Sequence, residues 1–405
     1  MKSFDLFNTL VASEAQPCGD QNRHFPIAEN IAKVKPGDII ISDFYDEAKA
    51  RHILTDVCGL SNQLVVTEAG KLTGRIWAAL PGITEHLGDM QQSDVNSANQ
   101  HGICGTLTTL ADHTKTEGDI LPTLPGLARA MREARLVTWD VDPMQRQRQI
   151  AQIESNFPIL YCAALLLHKQ LTTETVLFSS RDCYAWFRVQ ELIQTLTGAI
   201  YNVRYFLTSR LCRAFPSPAY LAGVNKLLAN AVIVDLCGTG WSLTRLLERS
   251  SRAETPVVLL VKYDIPSLDR VYQQMGSTRG PVNIRSLVPT KHGANLERAN
   301  MADHAMVLDA SGEDPQYFNP CNIDWKMPEI QAQHHAIGAC LEALRHYGLD
   351  LDASEEGLQR VIETSCKKME KYDEAFAFAN EFLRSEDKAV MAKLKELGRF
   401  ATANG

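Results

Sequence analysis

The chain has 405 residues, of which 45% are hydrophobic and 22% charged, and it carries a net charge of -7. That composition describes a globular protein long enough for two or three domains, and it excludes a dedicated nucleic-acid binder, which would show a basic surplus. No apolar run reads as long enough to span a bilayer, Asp5 and Asn8 interrupt the opening stretch where a signal peptide would be apolar, and the 10 cysteines are scattered without a C-x-x-C pair, as suits a reducing cytoplasm.

Phe4-Asp5-Leu6-Phe7-Asn8-Thr9-Leu10 reads as a short strand that delivers Asp5 to the carboxyl edge of a parallel sheet, where α/β enzymes keep their chemistry. Residues 11–37, with Pro17, Gly19, Pro26, Pro36 and Gly37, read as a loop carrying one short helix at Ile27–Val34. Asp38-Ile39-Ile40-Ile41-Ser42-Asp43 is a β-branched run ending in a hydroxyl. Lys71-Leu72-Thr73-Gly74 places a lysine just ahead of a helical segment. His86-Leu87-Gly88-Asp89 ends another apolar segment in an acid, with a second acid at Asp94. Residues 102–112, opening with Gly102-Ile103-Cys104-Gly105-Thr106, read as the last strand of this part. Residues 113–125, with Gly118, Pro122 and Pro125, read as a linker. Lys71 read alone could equally be a solvated surface lysine, and Ser93-Asp94 could equally cap a helix at Val95–Gln100.

Asp, Ser, Lys and a pair of Asp, in that order and at strand ends, resemble the four motifs of the haloacid dehalogenase superfamily over roughly residues 1–112. A carboxylate can attack phosphorus and form an aspartyl-phosphate, given a cation for the phosphate oxygens and an oxygen-bound Mg²⁺. The resemblance therefore implies that Asp5 is nucleophile and metal ligand, that Asp89 and Asp94 complete the Mg²⁺ site, that Ser42 hydrogen-bonds the phosphoryl group and that Lys71 steadies the charge. Phosphatases of that superfamily usually carry a second Asp two residues after the nucleophile as general acid and base. Phe7 stands there, and Asn8 stands where a subgroup has a later Asp, so hydrolysis of a carbon–halogen bond stays open on this motif. The spacings from Asp5 to Ser42 and from Ser42 to Lys71 leave no room for a large cap, and a site without a lid is open to the end of a polymer.

From about 126 to 175 the pattern is helical, and Phe157–Leu171 reads as a buried helix. A second α/β pattern follows. Strands are expected at Thr175–Asp182, which ends in a polar cluster, and at Tyr201–Leu207, Ala231–Asp235 and Val257–Val261, with an amphipathic helix at Tyr184–Leu196. Asp235 leads into Gly238-Thr239-Gly240-Trp241-Ser242 before a helix. Glycines there let backbone N–H groups approach an anion, and Thr239 and Ser242 add hydroxyls. The same residues also suit a tight strand-to-helix turn that binds nothing. There is no Gly-Lys-Ser/Thr, so this is not a Walker loop. Arg181-Asp182 and Ser209-Arg210 end neighbouring strands; two guanidiniums facing a glycine loop suit a diphosphate, and pairing with adjacent carboxylates is the plainer alternative. Glu297 and His304 lie in a less readable region, with His304 placed on the surface. Residues 328–402 read as a helical tail whose charge runs are solvated faces.

The loop at Asp235–Ser242 resembles the ribose-phosphate loop of type I phosphoribosyltransferases, with Leu236 in place of a second acid and Cys183 where relatives often have Gly. The two halves together, over most of residues 1–310, look like the dual-domain ribofuranosyltransferases of bacterial polysaccharide assembly. That resemblance implies an α/β protein with a haloacid dehalogenase-like domain at 1–125 and a phosphoribosyltransferase-like domain at 126–405. It implies transfer of 5-phosphoribose from phosphoribosyl diphosphate to a glycan or polysaccharide acceptor, with Asp235 in a catalytic role. Arg181, Asp182, Arg210, Gly238, Thr239, Gly240, Ser242 and Glu297 would bind the substrate, and the first domain would then remove the 5-phosphate with Mg²⁺. A cytoplasmic location, peripheral to the inner face of the membrane beside polysaccharide-assembly proteins, goes with it. The alternative from a different class is a stand-alone Mg²⁺-dependent phosphatase with a non-catalytic binding domain.

Overall fold

The strand carrying Asp5, Lys2–Asp5 (β1), is the middle of a sheet. The computed structural model describes residues 1–16, 22–172, 174–263, 283–288, 295–312 and 314–403. Pro17 and Gly19 of the expected loop lie outside them. By contacts the chain divides into two compact units, one of Met1–Asp142 with Glu342–Leu349 and one of Pro143–Leu341 with Asp350–Gly405.

In the first unit the stretch after β1 is not the loop its prolines suggest. Val11–Ala15 (β2) and Asn22–Pro26 (β3) pair as an antiparallel hairpin, with Val11 opposite Pro26 and Ala15 opposite Asn22. Ala12 and Phe25 face each other and are buried against Ile27, Ala111 and Leu136, which supplies the one-sided burial a two-stranded ribbon needs. Pro26 ends its strand, where no further ladder N–H is required. The helix expected at Ile27–Val34 is shorter, Ala28–Ile31.

The sheet itself is five-stranded and parallel. Ile39–Ser42 (β4) and Gln63–Val66 (β5) lie on one side of β1, and Glu85–Gly88 (β6) and Cys104–Leu107 (β7) on the other. The isoleucine run shows why both faces are covered. Ile40 packs with Phe4, Leu6, Leu10, Ile53 and Leu54, while Ile39 and Ile41 pack with Ile76, Trp77, Ile83 and Ala98. Residues 113–125 are not a linker. Thr114 and Glu117 form a capping box at the head of helix Lys115–Ile120. Buried Glu117 then pairs with Arg135 at 2.7 Å. Arg135 lies on helix Pro125–Val137, which belongs to the first unit although the sequence places it with the second half.

The second unit holds another five-stranded parallel sheet. Its strands are Thr175–Ser179 (β8), Asn202–Phe206 (β9), Ala231–Gly238 (β10), Val257–Lys262 (β11) and Ile284–Ser286 (β12), in the order β12-β11-β10-β8-β9. β12 escapes sequence reading because only three residues pair. β10 outruns its expected end at Asp235, since Cys237 and Gly238 still pair with Val261 and Lys262. A small antiparallel pair, Met306–Asp309 (β13) and Gln316–Phe318 (β14), and helices Pro328–Tyr347, Glu355–Met369 and Phe378–Ala403 complete the described part. Pro143–His168 is, among the described residues, the one helical stretch long and apolar enough to cross a membrane, contrary to the sequence expectation that none exists. Some 94% of its apolar window is buried inside the protein, which is how a core helix behaves.

Candidate functional sites

In each sheet the strand order reverses once. In the first, β1 is followed outward by β4 and β5, and the chain then returns to the other flank with β6 and β7. The switch therefore lies between β1 and β6. In the second, β8 leads out to β9 and the chain returns with β10, so the switch lies between β8 and β10. Open α/β sheets bind ligands outside the carboxyl ends of the strands at such points. The acids picked out by sequence stand there: Asp5 and Asp89 beside one switch, Asp182 and Asp235 beside the other.

At the first switch, Asp5 is 5% exposed and its Oδ1 accepts from Lys71 Nζ at 2.6 Å. Lys71 is not the solvated lysine it could have been. Its Nζ also meets Asp94 Oδ1 at 2.7 Å. Its own carbonyl accepts from Ser97 Oγ at 2.6 Å, and Ser97 in turn accepts from Trp77 Nε1 at 3.1 Å. Asp94 does not cap a following helix. It sits within the helical turn Gln91–Asn96 with its carboxylate turned inward, accepting from Met90 N at 2.9 Å and meeting His86 Nε2 at 3.4 Å. His86 is held from behind by Ser3 Oγ, 2.9 Å from Nδ1. Gly88 keeps this corner clear, because a Cβ there would come 2.4 Å from the Asp94 side chain. Asn8, in the left-handed region at φ 55, donates through Nδ2 to Asp89 Oδ2 at 3.2 Å. Ser42 is buried at the end of β4, the strand paired with β1 on its other flank.

One carboxylate oxygen from each of Asp5, Asp89 and Asp94 can be chosen so that all lie within 4.8 Å of one another. An all-oxygen, triply acidic donor set fits a hard divalent cation such as Mg²⁺. The charges are uneven. Burial pushes Asp5 up to about 7 against the pull of Lys71, with Asp94 and Asp89 adding repulsion. Asp94 resists its own burial and is held down to about 2 by the His86 hydrogen bond and the Lys71 charge. Burial alone would lower Lys71, but the two carboxylates outweigh it and hold the ammonium above its ordinary range.

At the second switch the carboxylates and cations are already matched. Arg181 meets Glu386 at 2.7 Å and Asp182 at 3.4 Å, and its guanidinium lies 5.3 Å from the Trp325 ring. Arg210 meets Asp387 at 2.7 Å. Asp235 Oδ2 accepts from Arg213 NH1 at 2.9 Å, and its Oδ1 accepts from Leu236 N at 3.0 Å. Arg213 also donates to Thr208 Oγ1 at 3.1 Å and to Ser242 Oγ at 3.3 Å, so it ties the Ser209–Arg210 turn to the glycine loop. Gly240 is left-handed at φ 80 and precedes helix Trp241–Arg249; a Cβ on it would meet Ile284 Cδ1 at 2.3 Å. Thr239 Oγ1 accepts from Trp241 N at 3.4 Å. Gly238, ahead of it, ends the β10 ladder.

Glu297 accepts from Cys237 Sγ at 3.5 Å, and burial followed by repulsion from Asp182 pushes it up to about 7. His304 is half-buried rather than on the surface, with Nε2 2.7 Å from Tyr205 Oη. Sequence reading missed Arg213, Glu386 and Asp387. Arg213 could have been found: it follows Arg210 by one helical turn and so shares its side of the chain. The pairing of the tail acids with Arg181 and Arg210 leaves no local signal.

A scan of the sequence against protein-family models finds no matching family, and a search of curated proteins finds no significant match.

Proposed function

We propose that the chain is a two-step ribofuranosyltransferase with a haloacid dehalogenase-like phosphatase unit and a phosphoribosyltransferase-like unit. The observation that carries the reading is the lysine-bridged acid pair at the first switch point, Asp5–Lys71–Asp94 with Asp89 alongside, joined in one chain to an arginine-lined glycine loop at the second. A phosphate-removing site and a phosphate-donor site belong together when the second step erases what the first leaves behind.

In the transfer step an acceptor hydroxyl of a glycan attacks C1 of phosphoribosyl diphosphate. The C1–O bond to diphosphate breaks, and the diphosphate leaves with its electron pair. Arg181, Arg210 and the N–H groups at Gly238–Gly240 receive the anion, and Asp182, Thr239 and Ser242 take the ribose phosphate. Asp235, pinned by Arg213, faces the developing positive charge on the ribose, and the Glu297 carboxylate, made more basic by burial, takes the acceptor proton. In the second step Asp5 attacks the 5-phosphate and the bond from phosphorus to the ribose oxygen breaks. Water then releases phosphate from Asp5. A bound Mg²⁺ on Asp5, Asp89 and Asp94 would supply charge neutralisation for the phosphoryl oxygens. Ser42 and Lys71 orient the phosphoryl group. Phe7 and Asn8 have no acidic proton to give, so the leaving oxygen takes its proton from water. On this reading the protein works in the cytoplasm at the inner face of the membrane, beside polysaccharide-assembly proteins.

One observation favours a second reading, a Mg²⁺-dependent phosphatase whose other unit only binds: Arg181 and Arg210 already face Glu386 and Asp387. Incubation with phosphoribosyl diphosphate, Mg²⁺ and a panel of glycan acceptors, read by mass spectrometry, separates the two. Addition of a pentose by the wild type and of a pentose phosphate by Asp5→Asn is the expected result. Turnover of a generic phosphate ester with no mass gained by any acceptor would leave the phosphatase alone standing.

A further inference from the structure

Three aromatic rings run outward from the first site in unbroken contact. Phe7 lies two residues after Asp5, and Phe44 and Tyr45 follow Ser42. Phe7 and Phe44 are 4.7 Å apart by ring centroids, and Phe44 and Tyr45 are 4.8 Å apart at a shallow 34°. The inner two are anchored, packed against the cluster of Phe4, Leu6 and Leu10. The outer one is not, and Tyr45 is 90% exposed.

Folding gives Tyr45 no reason to be aromatic. Asp46 caps helix Glu47–His52, accepting from Lys49 N at 2.9 Å, so Tyr45 occupies the position that often staples onto the fourth helical residue. That residue is Ala50, which is buried within the Phe4–Ile40 cluster, while the Tyr45 ring stays in solvent. Exposing so large a ring forfeits apolar burial, and what sets Tyr45 apart from other exposed apolar residues such as Val141 and Ile200 is its contact, through Phe44 and Phe7, with the strand end that carries Asp5. The backbone of Tyr45 is nevertheless fixed, between the end of β4 and the cap at Asp46.

We propose that Phe7, Phe44 and Tyr45 form a stacking platform for a sugar ring of the glycan whose phosphorylated end enters the Asp5 site. This rests on the phosphatase step proposed above and adds to it how the site selects a saccharide. The chemistry of the surroundings chooses the occupant. A sugar ring has an apolar C–H face for an aromatic ring and a hydroxyl edge for polar neighbours, and a tyrosine offers both kinds of contact. Around Tyr45 the carboxylates Asp43, Asp46 and Glu47 stand with Lys49 and Arg51, and Arg51 meets Glu47 at 3.0 Å, so Asp43 and Asp46 remain as acceptors for sugar hydroxyls. Phe7 thereby has a use in the position that leaves the site without a second acid.

The test compares kcat/KM for a synthetic trisaccharide ending in ribofuranose 5-phosphate with that for methyl ribofuranoside 5-phosphate, in wild type, Tyr45→Ala and Tyr45→Trp. One aromatic contact changes the ratio of the two by about 3- to 10-fold. The expected result is a fall of that size in Tyr45→Ala, carried by KM for the trisaccharide, with the ratio kept in Tyr45→Trp. An unchanged ratio in Tyr45→Ala overturns the platform. If the wild type hydrolyses neither ester, the phosphatase reading fails on its own. The platform is then judged by titrating the phosphate-free trisaccharide against the Tyr45 ring resonances, where no shift overturns it and a saturable shift retains it. A wild-type self-association lost in Tyr45→Ala, with the ratio unmoved, assigns the ring to a protein contact and also overturns it.

Discussion

Asp5→Asn should stabilise the protein at pH 8 in the absence of divalent cations, and the effect depends on pH. In the native protein the Asp5 carboxyl is raised from 3.8 to about 7 by burial, a value that already includes the pull of Lys71. Below pH 4 the native and unfolded chains both hold the proton and nothing is gained or lost. As pH rises, the unfolded chain releases its proton first, and native stability falls until the buried group also ionises near pH 7. At about 1.4 kcal/mol per pH unit, the cost above that point is at most about 4 kcal/mol. Asparagine removes it and is charged about 1–3 kcal/mol for burying an amide that pairs less well with Lys71. A net gain of about 2 kcal/mol raises the melting temperature of the first unit by roughly 4–8 °C. The assay is calorimetry in EDTA at several values between pH 4 and pH 8. The gap between variant and wild type should run from about 2 kcal/mol in favour of the wild type at pH 4 to about 2 kcal/mol in favour of the variant at pH 8. A gap that is negative at pH 8, or the same at pH 4 and pH 8, would refute the reasoning. Added Mg²⁺ should then raise the wild type and leave the variant nearly unmoved, because a ligand must be deprotonated to bind.

Gly88→Ala should cut turnover of phosphate esters at least tenfold, since a Cβ 2.4 Å from the Asp94 side chain forces the Lys71 partner aside; a fall in Mg²⁺ affinity in the same variant is the check. Glu386→Gln should lower thermal stability, by about 1–3 kcal/mol with Asp182 still beside Arg181, and should enlarge the melting shift produced by phosphoribosyl diphosphate; equal shifts in variant and wild type count against a diphosphate at Arg181. Asp235→Asn strips buried Arg213 of its carboxylate and should cost about 3–5 kcal/mol in urea unfolding, whereas the double change Asp235→Asn with Arg213→Met should recover part of that loss.

What the sequence disclosed is local. A β-branched run such as Ile39–Ile41 declares a buried parallel strand, and the polar residue that ends it declares the sheet edge, so Asp5, Ser42 and Asp89 were found by their place in the chain. The Thr114-x-x-Glu117 signature was equally legible, yet Gly118, Pro122 and Pro125 drew the eye to a linker; Pro125 in fact opens the next helix, where its missing N–H costs nothing. The β2–β3 hairpin hid because only Val11, Ala12 and Phe25 are deeply buried on it, and adjacent Val11 and Ala12 give no alternation to read. Partnerships across long separations were out of reach. Nothing near Arg181 announces Glu386, 205 residues on, and nothing in Lys71 alone says that it bridges Asp5 and Asp94.

The first unit is also made in an awkward order. β1 leaves the ribosome ahead of both strands that flank it, and Ser3 must wait for Ile39 on one side and His86 on the other. Its buried Glu133 binds Arg23 early, but receives the Tyr347 hydroxyl, at 2.6 Å, only from a residue 214 positions later. Such distant pairings close slowly, because the loop entropy is spent before the contacts form. During synthesis the amino-terminal unit therefore gathers its sheet early and is not finished until residues 342–349 arrive, roughly 200 residues after the rest of it.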